Sequence, residues 1–130
     1  MKLRSIAVGT PTVPIGSYTQ TVLARLPASE RRALLANIAD RETDVTGIVG
    51  KLTEHAIDAG FVYATDAKTV KGEVSLVGIP NSAQPQVAYG IAVVKGSPHA
   101  AQARRFISGL LSGAGRNDLL AAGFLPPPAG

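Results

Sequence analysis

Arg4-Ser5-Ile6-Ala7-Val8-Gly9-Thr10-Pro11-Thr12-Val13-Pro14-Ile15-Gly16-Ser17-Tyr18 is the stretch on which the fold turns. Residues 4–9 hold a short apolar run closed by Gly9 and read as a buried strand. An irregular loop follows. Pro14 then marks the first turn of a helix, where its missing N–H costs nothing and its φ is already helical. Tyr18, Val22, Leu23 and Leu26 recur on one helical face until Pro27 stops it. A buried strand passing through a loop into an amphipathic helix is the first half of a βαβ unit.

The remainder continues the alternation. Ser29 is a candidate cap for a second helix with Ala33, Leu34 and Ile38 inward, and Asp40-Arg41-Glu42-Thr43 reads as a charged connector. The clearest helix starts at the N-cap Asp44, with Val45, Ile48, Val49, Leu52 and Ala56 in one stripe and Gly60 as its stop. Phe61-Val62-Tyr63-Ala64, the alternating run Glu73 to Ile79 and the apolar run Val87 to Val94 read as strands, and Pro80 to Pro85 as a linker. Pro98 opens a helix carrying Ala103, Phe106, Ile107, Leu110 and Leu111, which Gly113 and Gly115 end. A short helix around Leu119–Ala122 stops at Gly123, ahead of the tail Pro126-Pro127-Pro128. The prediction is an α/β fold with a mostly parallel sheet flanked by helices.

Composition narrows the function. A chain of 130 residues with 45% hydrophobic and 17% charged residues supports one core and excludes a disordered tail. The absence of cysteine removes disulfides, thiolate metal sites and a cysteine nucleophile, and two distant histidines, His55 and His99, argue against a histidine metal site. Without tryptophan, and with 5% aromatics, no base-stacking platform is expected. The net charge of +4 is spread along the chain, which suits solvated faces or a small anionic ligand and not a nucleic acid. Lys2 and Arg4 precede an apolar stretch shorter than the roughly 7–15 residues of a secretory core, so no signal peptide is read and the chain as written is expected in the cytoplasm. Neither Gly9–Gly16 nor Gly47-Ile48-Val49-Gly50-Lys51 makes a phosphate-binding loop, and Gly-x-Ser-x-Gly and His-Glu-x-x-His are absent. No acid–base pair or nucleophile stands out, and an enzyme is not expected.

Two helix starts remain, at Val13-Pro14-Ile15-Gly16-Ser17 and at Asp44-Val45-Thr46-Gly47. Such starts leave N–H groups unpaired and carry positive partial charge, so they suit anions without any lysine or arginine. In open α/β sheets these loops gather at the carboxyl ends of strands, where Tyr63 would add a hydroxyl. Each feature also has a plain reading, as an ordinary helix start or a packing tyrosine.

These same residues carry a family likeness. Ile6-Ala7-Val8-Gly9-x-Pro11-x-Val13-Pro14-x-Gly16-x-Tyr18, Asp44-Val45, Gly60-Phe61-Val62-Tyr63-x-x-Asp66-Ala67, Val87-Ala88-Tyr89-x-Ile91-Ala92-Val93-Val94 and Ala122-Gly123-Phe124-x-Pro126 resemble, in order, the molybdate-binding periplasmic proteins. These are the solute receptors of molybdate ABC transporters. The resemblance implies a lobe of a type II periplasmic binding fold. Residues 4–84 correspond to its second lobe, and 85–130 to a crossover strand and C-terminal helices that pack on the first. It implies oxyanion contacts from the N–H of Ile15, where the family commonly has alanine, from the N–H of Val45 and from the hydroxyl of Tyr63. Asp44 serves as N-cap. No cofactor and no direct metal ligand is implied; molybdenum or tungsten arrives inside the oxyanion. The implied partners are that small oxyanion and an ABC permease, and the implied location is periplasmic. The family carries a further N-terminal segment, so the expectation is a truncated half-receptor, weak or inactive alone, that forms a homodimer through the surface the first lobe would cover. The alternative is a ligand-sensing or protein-interaction domain derived from such a lobe.

Overall fold

Ile6, Ala7 and Val8 are almost wholly buried because their strand, β1 (Ile6–Gly9), lies between two parallel neighbours in a three-stranded sheet. The structure is a computed structural model that describes residues 4–127; the sequence features at Lys2 and Pro128 fall outside them. After β1 come α1 (Pro14–Arg25), α2 (Ala28–Ala36), β2 (Ile38–Glu42), α3 (Val45–Thr53), β3 (Ala59–Gly60), α4 (Ala64–Thr69), α5 (Ala100–Leu111) and α6 (Gly113–Ala122). The strand order is β2-β1-β3. Ile6 pairs with Ile38 and Ala59, and Gly9 with Glu42; an irregularity between Ile6 and Ala7 brings Ala7 opposite Asp40. The α/β class and the parallel sheet are as predicted. The chain divides into two compact units, Met1–Gln86 and Val87–Gly130. The first holds the sheet and α1 to α4. The second holds α5 and α6, with Tyr89 edge-on to Phe124 at 5.7 Å between ring centroids.

The start of β1 is clamped from within the first unit. Asp58 Oδ2 accepts the N–H groups of Arg4 at 2.8 Å and Ser5 at 3.0 Å, while the Asp58 N–H reaches Ser5 Oγ at 3.1 Å. The Arg4 N–H, followed by that of Ser5, holds the Asp58 carboxyl below its ordinary pKa.

Several elements differ from the sequence reading. Residues Asp40 to Glu42 are not a connector but the end of β2, whose inward positions Ile38, Asp40 and Glu42 are half-buried and alternate with exposed Ala39 and Arg41. Alternation was present, but with carboxylates where apolar side chains were sought. Ser29 caps nothing, since α2 begins one residue before it; Ala33 is exposed and Ile38 belongs to β2. The helix from Val45 ends at Thr53, short of Gly60, because His55 turns to φ 57°, and Ala56 lies exposed beyond it. Gly60 sits in β3 instead, where a Cβ would come within 2.5 Å of Ile48 Cγ2.

The strand predicted at Phe61–Ala64 is displaced to Ala59–Gly60, and Ala64 already opens α4. Residues 73–79 and 87–94 form no ladder, and Leu76, Val77, Tyr89, Ile91 and Val94 are exposed. An apolar or alternating run is compatible with a strand, but a ladder needs a neighbour, and among the described residues these runs make only an isolated bridge, Val74 with Lys71. In the second unit, Phe106 and Leu111 are exposed, not gathered with half-buried Ala103, Ile107 and Leu110. The last helix begins at Gly113, not near Leu119, and Gly115 lies within it, 2.6 Å from the Gly109 carbonyl oxygen for any added Cβ. Its stop at Gly123 is as predicted, with φ 105°.

Candidate functional site

Because the three strands are parallel, their carboxyl ends open on one edge of the sheet, and each leads into a helix start: Gly9 into α1, Glu42 into α3, Gly60 into α4. This is the edge at which ligands meet open α/β sheets. Ile15 is the second residue of α1, Val45 the first of α3, and Tyr63 immediately precedes α4. All three join one apolar cluster built on Ala7, Ile15 and Ile48, against which Val45 and Tyr63 pack. The structure thus brings the three sequence-predicted residues to one place.

The first start is shaped by two glycines. A Cβ on Gly9 would lie 2.6 Å from the Gly16 nitrogen, and one on Gly16 would overlap the Thr10 carbonyl oxygen. The α1 terminus therefore sits directly against the end of β1. The Ile15 side chain is 6% exposed and belongs to the core, so what it turns to the helix end is its backbone. The Ser17 N–H finds Val13 O at 3.0 Å, whereas those of Ile15 and Gly16 have no backbone acceptor among the described residues.

At the second start, Asp44 Oδ1 accepts the Gly47 N–H at 3.0 Å, as its N-cap role requires. The Asp44 carboxylate is thereby committed to its own helix. The Glu42 carboxylate lies over Gly47, where a Cβ would meet its Oε2 at 2.5 Å, and it pairs with Lys51 Nζ at 2.8 Å. Lys51 also pairs with Asp40. At the third start, the Tyr63 N–H donates to Asp66 Oδ2 at 3.1 Å, and the Tyr63 ring stands edge-on to Tyr18 at 6.3 Å and 74°.

Four carboxylates near this edge are therefore matched, Asp44 by the Gly47 N–H, Asp66 by the Tyr63 N–H ahead of α4, and Asp40 and Glu42 by Lys51. The Ile15 and Gly16 N–H groups are donors left without a backbone acceptor at this edge among the described residues. Sequence reasoning placed Tyr18 only on a helix face and passed over Glu42 and Lys51; the alternation of Ile38, Asp40 and Glu42 was the available signal. His55 lies exposed past the far end of α3. Among the described residues no group of three or more histidine, cysteine or acidic side chains is placed to hold a metal ion, and no helix is long and apolar enough to cross a membrane.

A family model described as bacterial extracellular solute-binding protein matches residues 2–125. Curated relatives named molybdate-binding protein ModA, from Mycobacterium bovis and Mycobacterium tuberculosis, are each 32% identical over 123 residues. The match covers 95% of this chain and 45% of each relative, so the chain spans about half the length of the curated relatives it matches. No solved structure matches it.

Proposed function

This chain belongs to the bacterial extracellular solute-binding protein family, and from that premise we propose that it supplies one side of a binding site for a tetrahedral oxyanion of the molybdate class. The family is one of solute receptors, not of enzymes. The observation that carries the reading is the convergence of Ile15, Val45 and Tyr63 at the carboxyl ends of three parallel strands, on one apolar cluster. The printed name of the relatives supports the ligand class.

The chemistry follows from the donors. A dianion is held by the N–H groups of Ile15 and Val45, whose helix dipoles point positive ends at it, and by the Tyr63 hydroxyl. No side-chain cation is needed, and the metal is cargo, touched only through its oxygens. Hydrogen bonds to a charged group contribute about 1.5–3 kcal/mol each. Set against an association cost of about 4 kcal/mol or more, three of them leave little net affinity. The remaining donors, and the closure that excludes water, come from chain beyond these 130 residues or from a second polypeptide. In the whole receptor the bound oxyanion is delivered to an ABC permease on the outer side of the cytoplasmic membrane. In the isolated chain, the exposed apolar residues Tyr89, Ile91, Val94, Phe106 and Leu111 of the second unit mediate pairing with another copy.

Calorimetric titration with molybdate, tungstate and sulfate tests the reading. Weak binding of molybdate and tungstate is expected, strengthened when the missing half of a receptor is added as a separate chain. Sub-micromolar affinity of the isolated chain would show that the three donors already make a complete site and refute the half-site. Amide resonances of Ile15 and Val45 that ignore saturating molybdate would refute the site itself.

A further inference from the structure

Glu42 touches both helix starts. Its backbone oxygen accepts the Thr10 N–H at 2.8 Å in the loop ahead of α1, and its residue pairs with Gly9 in the sheet register. Its side chain runs the other way, over Gly47 in the first turn of α3, and ends on Lys51 Nζ at 2.8 Å. Asp40, two residues earlier on the same face of β2, ends on the same ammonium. The three side chains are 22%, 34% and 30% exposed for Glu42, Lys51 and Asp40, which sets them apart from a fully solvated ion pair.

From this geometry we infer that Glu42 and Lys51, with Asp40, form a charge-compensated buttress that positions the α1 and α3 starts and sets how strongly the site discriminates by ligand charge. The inference rests on the oxyanion reading for its second half only. Glycine at position 47 is what lets the Glu42 carboxylate lie so close to the helix start. A bare carboxylate there would repel the anion that the Val45 N–H attracts. The two carboxylates and one ammonium of this cluster sum to a charge of −1; without Lys51 the cluster carries −2. The added repulsion scales with the charge of the ligand, so a dianion suffers twice the free-energy penalty of a monoanion of equal shape.

Molybdate and perrhenate, a tetrahedral dianion and monoanion of similar size, are the probes, followed at the Ile15 and Val45 amides by NMR titration. Lys51→Gln is expected to weaken molybdate about tenfold and perrhenate about threefold, as the square-root relation between the two charges requires. Lys51→Arg is expected to bind as the parent does. The double variant Glu42→Gln/Lys51→Gln returns the net charge to −1 and restores molybdate binding. Equal losses for both anions, or a double variant as weak as Lys51→Gln, would overturn the charge role. The positioning role is read in the unliganded chain, where Lys51→Gln speeds hydrogen exchange of the Thr10 and Gly47 amides severalfold while the β1 amide of Ile6 is unchanged. Unaltered exchange at Thr10 would overturn it. If the parent chain answers neither anion, the oxyanion reading fails, and the exchange result alone decides the buttress.

Discussion

Two glycine-to-alanine substitutions, both inside helices of the first unit, should move stability in opposite directions. In a helix interior alanine is favoured over glycine by about 1 kcal/mol. Gly50 lies mid-way along α3 with open space where a Cβ would go, so Gly50→Ala should gain that full amount. Gly16 is different. Its added Cβ would overlap the Thr10 carbonyl oxygen and lie 2.6 Å from the Gly9 carbonyl oxygen. Both obstacles are backbone, and one is at the end of the central strand, so neither turns aside as a side chain would. Overpacking of this kind costs about 1–3 kcal/mol. At its upper end it outweighs the propensity gain and leaves a net loss of about 2 kcal/mol. For a chain of this length 1 kcal/mol corresponds to about 4 °C in Tm, giving a fall of about 8 °C for Gly16→Ala and a rise of about 4 °C for Gly50→Ala. Thermal melts by circular dichroism, supported by urea titration at fixed temperature, measure both. A Gly16→Ala protein as stable as the parent would refute the close approach of α1 to β1, and with it the placement of the Ile15 N–H.

Further expectations follow from the same contacts. Asp58 has a depressed pKa, so its contribution is present above the ordinary carboxylate value and is lost as pH falls through the lower folded value; Asp58→Ala should flatten the acid side of the stability profile below about pH 4, seen in urea melts across pH. Tyr63→Phe should weaken oxyanion binding by about 1–2 kcal/mol, measured by calorimetry beside a melt that confirms the variant is folded. Ile15→Ala should do the reverse, costing about 2–4 kcal/mol of stability through the cavity it leaves in the core while the N–H is retained. Light scattering over a concentration series should show the isolated chain self-associating, and a monodisperse monomer at high concentration would refute that.

What could be read from the sequence divides along physical lines. β1, α1 and the Asp44 cap were legible because each is specified locally, by a buried run, a proline at a first turn and a carboxylate three residues ahead of the N–H it accepts. β2 was not, since an edge strand needs only alternate positions inward and here two of them are acids whose partner, Lys51, lies in the next helix. The turn at His55 carried no glycine or proline to announce it. Residues 87–94 illustrate the opposite error, a strand-like composition without a paired neighbour. Ile15, Val45 and Tyr63 come to one edge because topology forces helix starts after parallel strands together, although Tyr63 precedes α4 and does not end a strand. The Glu42–Lys51 pair depends on side chains meeting across two elements, which periodicity does not encode.

The sheet's two margins carry a further consequence. β3 is two residues long, and the last three of β2's five residues, Asp40, Arg41 and Glu42, are charged, so neither margin offers an incoming strand a long, flat, uncharged ladder. Short and charged borders are how natural sheets resist templating by a neighbour. The first unit is thus protected against growth by strand addition, even though its central strand is wholly apolar. Contacts made by the first unit are accordingly favoured through its side-chain surfaces over extension of its β-ladder.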